Sequence, residues 1–223
     1  MLEVRVISVA AAVVLVWAVG GCGGGDKASS PTSSIRSTSS IASTPSLATT
    51  TSVAVDASDP AGLEALLINA VPAGFVVQSD DVGDTGPSDL EKAVHDQGGT
   101  PEDRDFLVRN GFLRGYQRLW LKGEDNELVV FLYEFSGAPG AKAQADTVAE
   151  QLSSGDGESP GLPFDPGIAG ALGFRSPDPS NPGAVVAFGK GRYAVQIVRL
   201  GGDAATIQTE VTQIARAQFD RLA

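Results

Sequence analysis

The chain has very few of the side chains that build most catalytic and metal centres. Its 223 residues include one cysteine, Cys22, and one histidine, His95. A lone cysteine excludes an internal disulfide, and these two residues alone cannot supply the usual nitrogen and sulfur ligands of zinc. The Gly-x-Ser-x-Gly elbow of serine hydrolases and the glycine-rich nucleotide-binding motifs are also missing. The sequence therefore predicts no catalytic residues, no metal and no cofactor.

Positive charge is also scarce. The chain has 27 acidic and 16 basic residues, which give a formal net charge of −11. Phosphate backbones and anionic lipid headgroups repel such a domain, so we expect no nucleic-acid binding and no direct docking on a membrane. The acidic segment Asp80–Asp84 lacks the spacing and the terminal glutamate of an EF-hand, which favours a solvated loop over a calcium site.

The leader contains an apolar run, residues 6–19, that is too short to cross a bilayer, because a spanning helix needs roughly 20 residues. Its length suits the apolar region of a secretory signal. The run ends in a valine, two glycines and Cys22, a pattern that resembles the lipobox of bacterial lipoproteins. The resemblance implies that residues 1–21 are removed and that Cys22 is diacylated, and two acyl chains anchor a protein stably. We therefore expect a lipid-anchored protein on the outer, extracytoplasmic face of the cell membrane.

Residues 22–58 are predicted to be the lipidated cysteine plus a disordered tether. The segment is rich in serine and threonine, and its apolar residues follow neither a helical nor a strand period. Such a segment cannot bury enough apolar area to offset the entropy of ordering. A flexible coil of this length spans roughly 30–36 Å. It is either an O-glycosylated stalk or a bare spacer.

Residues 59–223 are predicted to form a single globular domain. Helix starts are indicated at Asp59-Pro60, at a capping box beginning with Ser88, at Thr100-Pro101, near Pro139 and at Asp203. Strands are predicted at 112–122, 127–135, 171–174, 184–188 and 192–200, with a loop over 153–170. The prediction is an α+β fold in which helices pack on an antiparallel sheet. It has two strand–strand–helix halves and a long C-terminal helix.

The strand over 112–120 carries the most suggestive pattern. Alternation places its two arginines on the same face as its aromatic residues. If the following turn pairs Lys122 with Glu127, Phe131 and Tyr133 join that face. Arginine beside aromatic rings is a good platform for a sugar, a carboxylate or a partner's side chain. In the alternative, helices cover the face and the arginines pair with acids such as Glu134. The candidate face comprises Arg114, Tyr116, Arg118, Trp120 and Tyr133.

The leader, the stalk and the pattern Gly-Phe-x-x-Gly-Tyr-x-Arg-x-Trp over 111–120 together resemble actinobacterial, mycobacterial-type cell-envelope lipoproteins. This resemblance implies a small PsbP-like α+β domain without an assigned activity. We favour a non-enzymatic interaction module that binds an envelope protein or component and contacts the membrane through its lipid anchor only. One alternative is a carrier of a lipid or glycan that uses the arginine–aromatic face. Another is a carbohydrate-acting enzyme with two carboxylates, which leave no local pattern in a sequence.

Overall fold

The computed structural model describes residues 60–80, 82–83, 85–155 and 159–222. The predicted leader, Cys22 and the tether lie outside this part of the chain. The elements are α1 (Pro60–Leu66), β1 (Val76–Val77), β2 (Gly86–Ser88), α2 (Leu90–Asp96), α3 (Pro101–Arg109), β3 (Phe112–Leu121), β4 (Glu127–Phe135), α4 (Ala138–Ser154), β5 (Leu162–Phe164), β6 (Leu172–Arg175), β7 (Gly183–Lys190), β8 (Tyr193–Leu200) and α5 (Ile207–Arg221). Within the described residues, no helix combines the length and apolarity needed to cross a membrane.

All strands belong to one antiparallel sheet, which confirms the predicted α+β class. The order is β1-β3-β4-β8-β7-β6-β5, and β2 also pairs with β3. The hairpins β3–β4 and β7–β8 form the two predicted halves, and β4 pairs with β8 at the centre of the sheet. Each hairpin is followed by a helix, α4 in the first half and α5 in the second.

The two faces of the sheet bury separate hydrophobic cores. On one side, called the α5 face below, α1 and α5 cover alternate residues of β3, β4, β7 and β8. On the other side, the α4 face, α2, α3 and α4 cover the intervening residues. Because successive strand residues point to opposite faces, a sheet covered on both sides needs strands that are apolar at almost every position. The strand β4 meets this requirement, since it is buried from Leu128 to Phe135.

Side-chain caps fix the starts of two helices. Thr100 and Asp103 form a reciprocal capping box at α3, where a helix start was predicted. At α2 the cap is Asp89, whose carboxylate accepts the backbone N–H of Lys92 at 2.9 Å. The prediction that Ser88 caps this helix is wrong, because Ser88 is the last residue of β2 and pairs with β3.

The remaining differences from the predicted elements concern short segments. The strands β1, β2 and β5 have two or three residues each, too few to show an alternating pattern. The last helix begins at Ile207 and not at Asp203, because residues 204–206 form turns in which the Asp203 carbonyl accepts the N–H groups of Thr206 and Ile207.

A buried arginine at the end of β8 joins three segments that are distant in sequence. The guanidinium of Arg199 bonds the Glu210 carboxylate of α5 at 3.1 Å and the Asn126 side chain of the β3–β4 turn at 3.2 Å. It also donates to the carbonyls of Leu200 and Gly201, and it lies 4.8 Å from the ring centre of Phe75. Arg199 therefore ties the β3–β4 turn to the end of β8 and to the first turn of α5.

A buried amide fastens α1 to α5 in a similar way. The Gln218 side chain accepts the Ile68 N–H at 2.9 Å and donates to the Leu66 carbonyl at 2.9 Å. These two bonds satisfy backbone groups at the C-terminal end of α1, which a short helix would otherwise bury without partners.

We expect Arg199→Met to lower the free energy of unfolding by about 3 kcal/mol, because it removes a buried guanidinium that bonds Glu210, Asn126 and two backbone carbonyls. Equilibrium unfolding in urea measures this change. Arg216→Met is the matched control. Arg216 is exposed on α5 and makes long hydrogen bonds of 3.3 and 3.4 Å to the Pro166 carbonyl. Its substitution should change the free energy of unfolding by less than about 0.5 kcal/mol. Equal losses in the two variants would contradict the clamping role of Arg199.

Candidate functional site

The register of the β3–β4 hairpin divides the predicted arginine–aromatic face. Leu121, and not Lys122, pairs with Glu127, and the Lys122 N–H instead bonds the Asn126 carbonyl at 2.9 Å inside the turn. Because the side-chain period of a strand is two, a shift of one residue moves every β4 side chain to the other face. The prediction that Tyr133 shares a face with Tyr116 is therefore wrong.

The start of β3 departs from simple alternation as well. An irregularity between Phe112 and Arg114 places Phe112 on the α4 face. Its ring makes edge-to-face contacts with Tyr133 at 5.5 Å and with Phe135 at 5.8 Å. The predicted set of aromatic residues is thus split between the two cores.

On the α5 face, Tyr116 and Trp120 are packed in the core, with 2% and 4% of their surface exposed. The Tyr116 hydroxyl donates to the Asp80 carboxylate at 3.0 Å and accepts a bond from Arg118 at 3.0 Å. Burial raises the pKa of Tyr116, so its hydroxyl stays protonated and can act as this donor. These rings stabilise the core and offer no open platform.

The two arginines of the predicted face are paired with acids. Arg118 bonds Glu64 of α1 at 2.6 Å. Arg114 bonds the fully buried Glu134 at 2.6 Å, and Arg192 contacts the same carboxylate at 2.8 Å. This arrangement matches the alternative in which helices cover the face and the arginines pair with acids.

The described residues also contain no group of three or more histidine, cysteine or acidic side chains that could hold a metal ion. In the acidic segment, Asp80 is engaged with Tyr116, while Asp81 and Asp84 lie outside the described residues.

A second arrangement of polar side chains lies on the α4 face, within the apolar core. Gln117 of β3 and Gln196 of β8 are both register partners of Phe131 in β4. The three residues therefore form one row across the sheet, with the aromatic ring between the two amides. Above this row, Gln97 at the end of α2 donates its side-chain N–H to the Gln144 carbonyl oxygen of α4 at 3.1 Å. We call the group formed by Gln97, Gln117, Phe131, Tyr133, Gln144 and Gln196 the glutamine cleft.

Two buried atoms of the cleft have no hydrogen-bond partner among the described residues: the Gln117 carbonyl oxygen Oε1 and the Gln196 amide nitrogen Nε2. Gln117 is 3% exposed and Gln196 is 9% exposed. A buried polar atom without a partner costs about 1–3 kcal/mol, and such atoms are rare in folded proteins. Gln117 Oε1 is an acceptor and Gln196 Nε2 is a donor. A ligand that satisfied both atoms would have to offer both a donor and an acceptor.

A cavity of about 10 Å³, which is room for one water molecule, lies beside Gln196 but is not lined by Gln117. Two of the residues that line it, Ala145 of α4 and Ala194 of β8, have small side chains. The cavity is lined by Phe131, Tyr133, Gln144, Ala145, Val148, Ala194, Val195 and Gln196.

The position of Tyr133 at the edge of the cleft depends on a glycine. Gly115 is the register partner of Tyr133, and a Cβ atom at Gly115 would lie 2.4 Å from the Tyr133 ring. The absent side chain lets the ring lie across β3, where the Tyr133 hydroxyl donates to the buried Asp96 of α2 at 3.1 Å. The cleft is therefore shaped by the hairpin as well as by the helices.

One sequence pattern points to this site, although it was not among the predicted site residues. Gln117 and Gln196 are uncharged polar residues in the middle of strands that are otherwise suited to burial. Their position in one row across Phe131 depends on the pairing of three strands, and two of these strands are far apart in sequence. Helix α2 brings Gln97 to the cleft only through tertiary packing, which leaves no local pattern.

Comparisons with known proteins place few constraints on this chain. No protein-family model and no curated protein matches it. Among solved structures, it is similar to the extracellular domain of PknH from Mycobacterium tuberculosis, with a TM-score of 0.35 and 12% identity. The match covers 71% of this chain and 97% of that domain. A likeness at this level carries no argument about function.

We expect Gln196→Leu to raise the free energy of unfolding by about 1 kcal/mol, because it removes a buried donor that lacks a partner. The matched control is Gln218→Leu, which removes a buried amide that is bonded at both ends and should lower stability by about 2 kcal/mol. Urea unfolding of both variants checks the contrast. A destabilisation of Gln196→Leu as large as that of Gln218→Leu would show that Gln196 is fully bonded in solution.

Proposed function

We propose that this chain is a non-enzymatic, lipid-anchored binding module of an actinobacterial-type cell envelope, which holds a small uncharged ligand in the glutamine cleft. The observation that carries the proposal is the buried, unpartnered amide nitrogen of Gln196 beside a cavity, with the unpartnered Gln117 oxygen in the same row across the sheet. The proposal keeps the favoured hypothesis of a binding module. It takes a small ligand from the carrier hypothesis but moves the site to the opposite face of the sheet.

The composition of the cleft favours an uncharged ligand. Its free hydrogen-bonding atoms belong to neutral amides, and its floor is an aromatic ring, Phe131. The charged groups nearest to it are paired with each other or with the cleft wall, since Lys92 lies 3.9 Å from Asp96 and Asp96 accepts the Tyr133 hydroxyl. An apolar pocket with a few placed polar groups is the usual form of a small-molecule site.

The placement of carboxylates supports a module without hydrolytic activity. Asp96 and Glu134 are the buried acids of the described residues. Asp96 reaches Tyr133 on the α4 face, whereas Glu134 pairs with Arg114 on the α5 face. A glycosidase places its two carboxylates about 5–9.5 Å apart on either side of one bond. Carboxylates on opposite faces of a covered sheet cannot flank the same bond.

The lipid anchor is supported by the lipobox-like segment that ends at Cys22, after an apolar run of signal-peptide length. The described domain begins with α1, which packs on the α5 face and is held there by Gln218. A tether from Cys22 would therefore join the domain on the side opposite to the cleft. This geometry leaves the cleft accessible to ligands when the domain is anchored.

We expect Cys22→Ser to shift the full chain from the membrane fraction to the culture supernatant, because the two acyl chains on Cys22 would supply the anchor. Immunoblotting of fractionated cells measures the shift, with Gln196→Leu as a control that should remain with the membrane. Retention of the Cys22→Ser variant in the membrane fraction would contradict the lipid anchor.

We expect the full chain, purified from membranes in detergent, to bind at least one member of a panel of small uncharged probes: glucose, N-acetylglucosamine and acetamide. Saturation-transfer NMR detects such binding, and a double variant, Gln117→Leu with Gln196→Leu, should lose it. Absence of binding to every probe, or binding that the double variant retains, would contradict the proposed site.

A further inference from the structure

We propose that one end of the α5 face carries a second binding site, which takes the phosphate group of a small phosphate monoester. The site is a row of side chains from four neighbouring strands, together with an arginine of the β7–β8 turn. We call this group the basic row, and it comprises Arg114, Glu134, Lys190, Arg192 and Tyr193. It lies on the face opposite to the glutamine cleft, so it does not rest on the proposed function.

The register of the central strands assembles the row. Arg114 of β3 pairs with Glu134 of β4, and Glu134 pairs in turn with Tyr193 of β8. Tyr193 also pairs with Lys190 of β7, and its ring packs against the core of the α5 face. The Cβ atoms of residues paired across antiparallel strands are about 5 Å apart, so these four side chains are neighbours on one face.

Positive charge is concentrated in this row. The buried carboxylate of Glu134 is shared by two guanidinium groups, since Arg114 Nε lies 2.6 Å from one of its oxygens and Arg192 Nη2 lies 2.8 Å from the other. With Lys190, three cations and one carboxylate give the row a formal charge of +2, in a chain whose net charge is −11. A phosphate monoester carries about two negative charges at neutral pH and balances the row, whereas a carboxylate carries one.

Three side chains of the row can donate hydrogen bonds to a ligand. Arg192 Nε is buried and has no hydrogen-bond partner among the described residues, while the side chain as a whole is 41% exposed. Burial raises the pKa of Tyr193, so its hydroxyl stays protonated and can donate. Lys190 Nζ bonds the Phe219 carbonyl at 2.8 Å, which uses one of its three N–H groups. Guanidinium, ammonium and hydroxyl groups are the usual donors to phosphate oxygens in proteins.

The surroundings of the row favour a small organic ester. The net charge of −11 repels polyanions and anionic membrane surfaces, whereas a single phosphate group interacts mainly with charges within about 8 Å, the screening length in physiological salt. The ring of Phe219 is partly buried and lies beside the ammonium group, 4.3 Å from Lys190 Nζ. This ring offers an apolar surface to the organic part of the ester.

Titration calorimetry on the full chain in a neutral detergent, at fixed ionic strength, tests the site with phenyl phosphate, benzoate and phenol. We expect phenyl phosphate to bind about tenfold more tightly than benzoate, and phenol to show no binding. Arg192→Gln should weaken the binding of phenyl phosphate about tenfold, the value of one charge-assisted hydrogen bond. Tyr193→Phe keeps the ring in the core and should have a similar effect. Arg175→Gln, which changes an exposed arginine of β6, is the matched control and should leave the affinity unchanged.

Phenyl phosphate binding that both Arg192→Gln and Tyr193→Phe retain would overturn the site, as would no binding at up to about 10 mM. Equal affinities for benzoate and phenyl phosphate would overturn the assignment to phosphate. The Cys22→Ser chain should not sediment with phosphatidylglycerol vesicles. Sedimentation that is lost on Arg192→Gln would instead assign the phosphate to a lipid headgroup and overturn the small ligand. The double variant Gln117→Leu with Gln196→Leu should bind phenyl phosphate normally, which separates this site from the glutamine cleft.

Discussion

The register of the β3–β4 hairpin is the constraint on which the rest of the structure depends. The strand β4 is buried on both faces and pairs with β3 on one side and β8 on the other. Its position therefore decides which side chains enter each core. The Lys122–Asn126 backbone bond closes the turn, and Gly123 in that turn has a φ of +68°, which glycine adopts without strain. Arg199 holds the same turn through Asn126, so the buried guanidinium also supports the register.

The two faces of the sheet are fastened by different kinds of interaction. On the α5 face, charged pairs and a doubly bonded amide hold the covering helices: Arg118 with Glu64, and Gln218 with α1. On the α4 face, α2 and α4 are bridged by the neutral pair Gln97–Gln144. Bonds that involve charged groups contribute roughly 1.5–3 kcal/mol and neutral bonds about 1 kcal/mol. The bond between α2 and α4 is therefore weaker than the Arg118–Glu64 pair, although α2 is also held to the sheet by Asp96, which accepts the Tyr133 hydroxyl.

Much of the fold could be predicted because its determinants are local. The capping box at Thr100, the glycine-containing hairpin turns and the apolar stripe of α5 each act within a few residues. The register could not be predicted, because pairing Glu127 with either Leu121 or Lys122 leaves a short turn of glycine and polar residues, and the sequence does not distinguish the two. One residue of error was enough to assign Tyr133 to the wrong face. The glutamine cleft was missed for a related reason, since Gln117 and Gln196 meet only when β3, β4 and β8 are paired correctly.

The buried glutamines bear on function because they are unfavourable for stability alone. The free energy of unfolding of a domain of this size is roughly 5–15 kcal/mol. Two buried atoms without partners, at a cost of about 1–3 kcal/mol each, offset a large share of that stability. Apolar residues of similar volume at positions 117 and 196 would complete the core of the α4 face. The side chain of Gln218 is also buried, but it accepts one hydrogen bond and donates another, and both bonds stabilise the fold. The contrast between these amides within one domain distinguishes a side chain that stabilises the fold from two whose polar atoms have no partner among the described residues, and the latter lie on the face opposite α1.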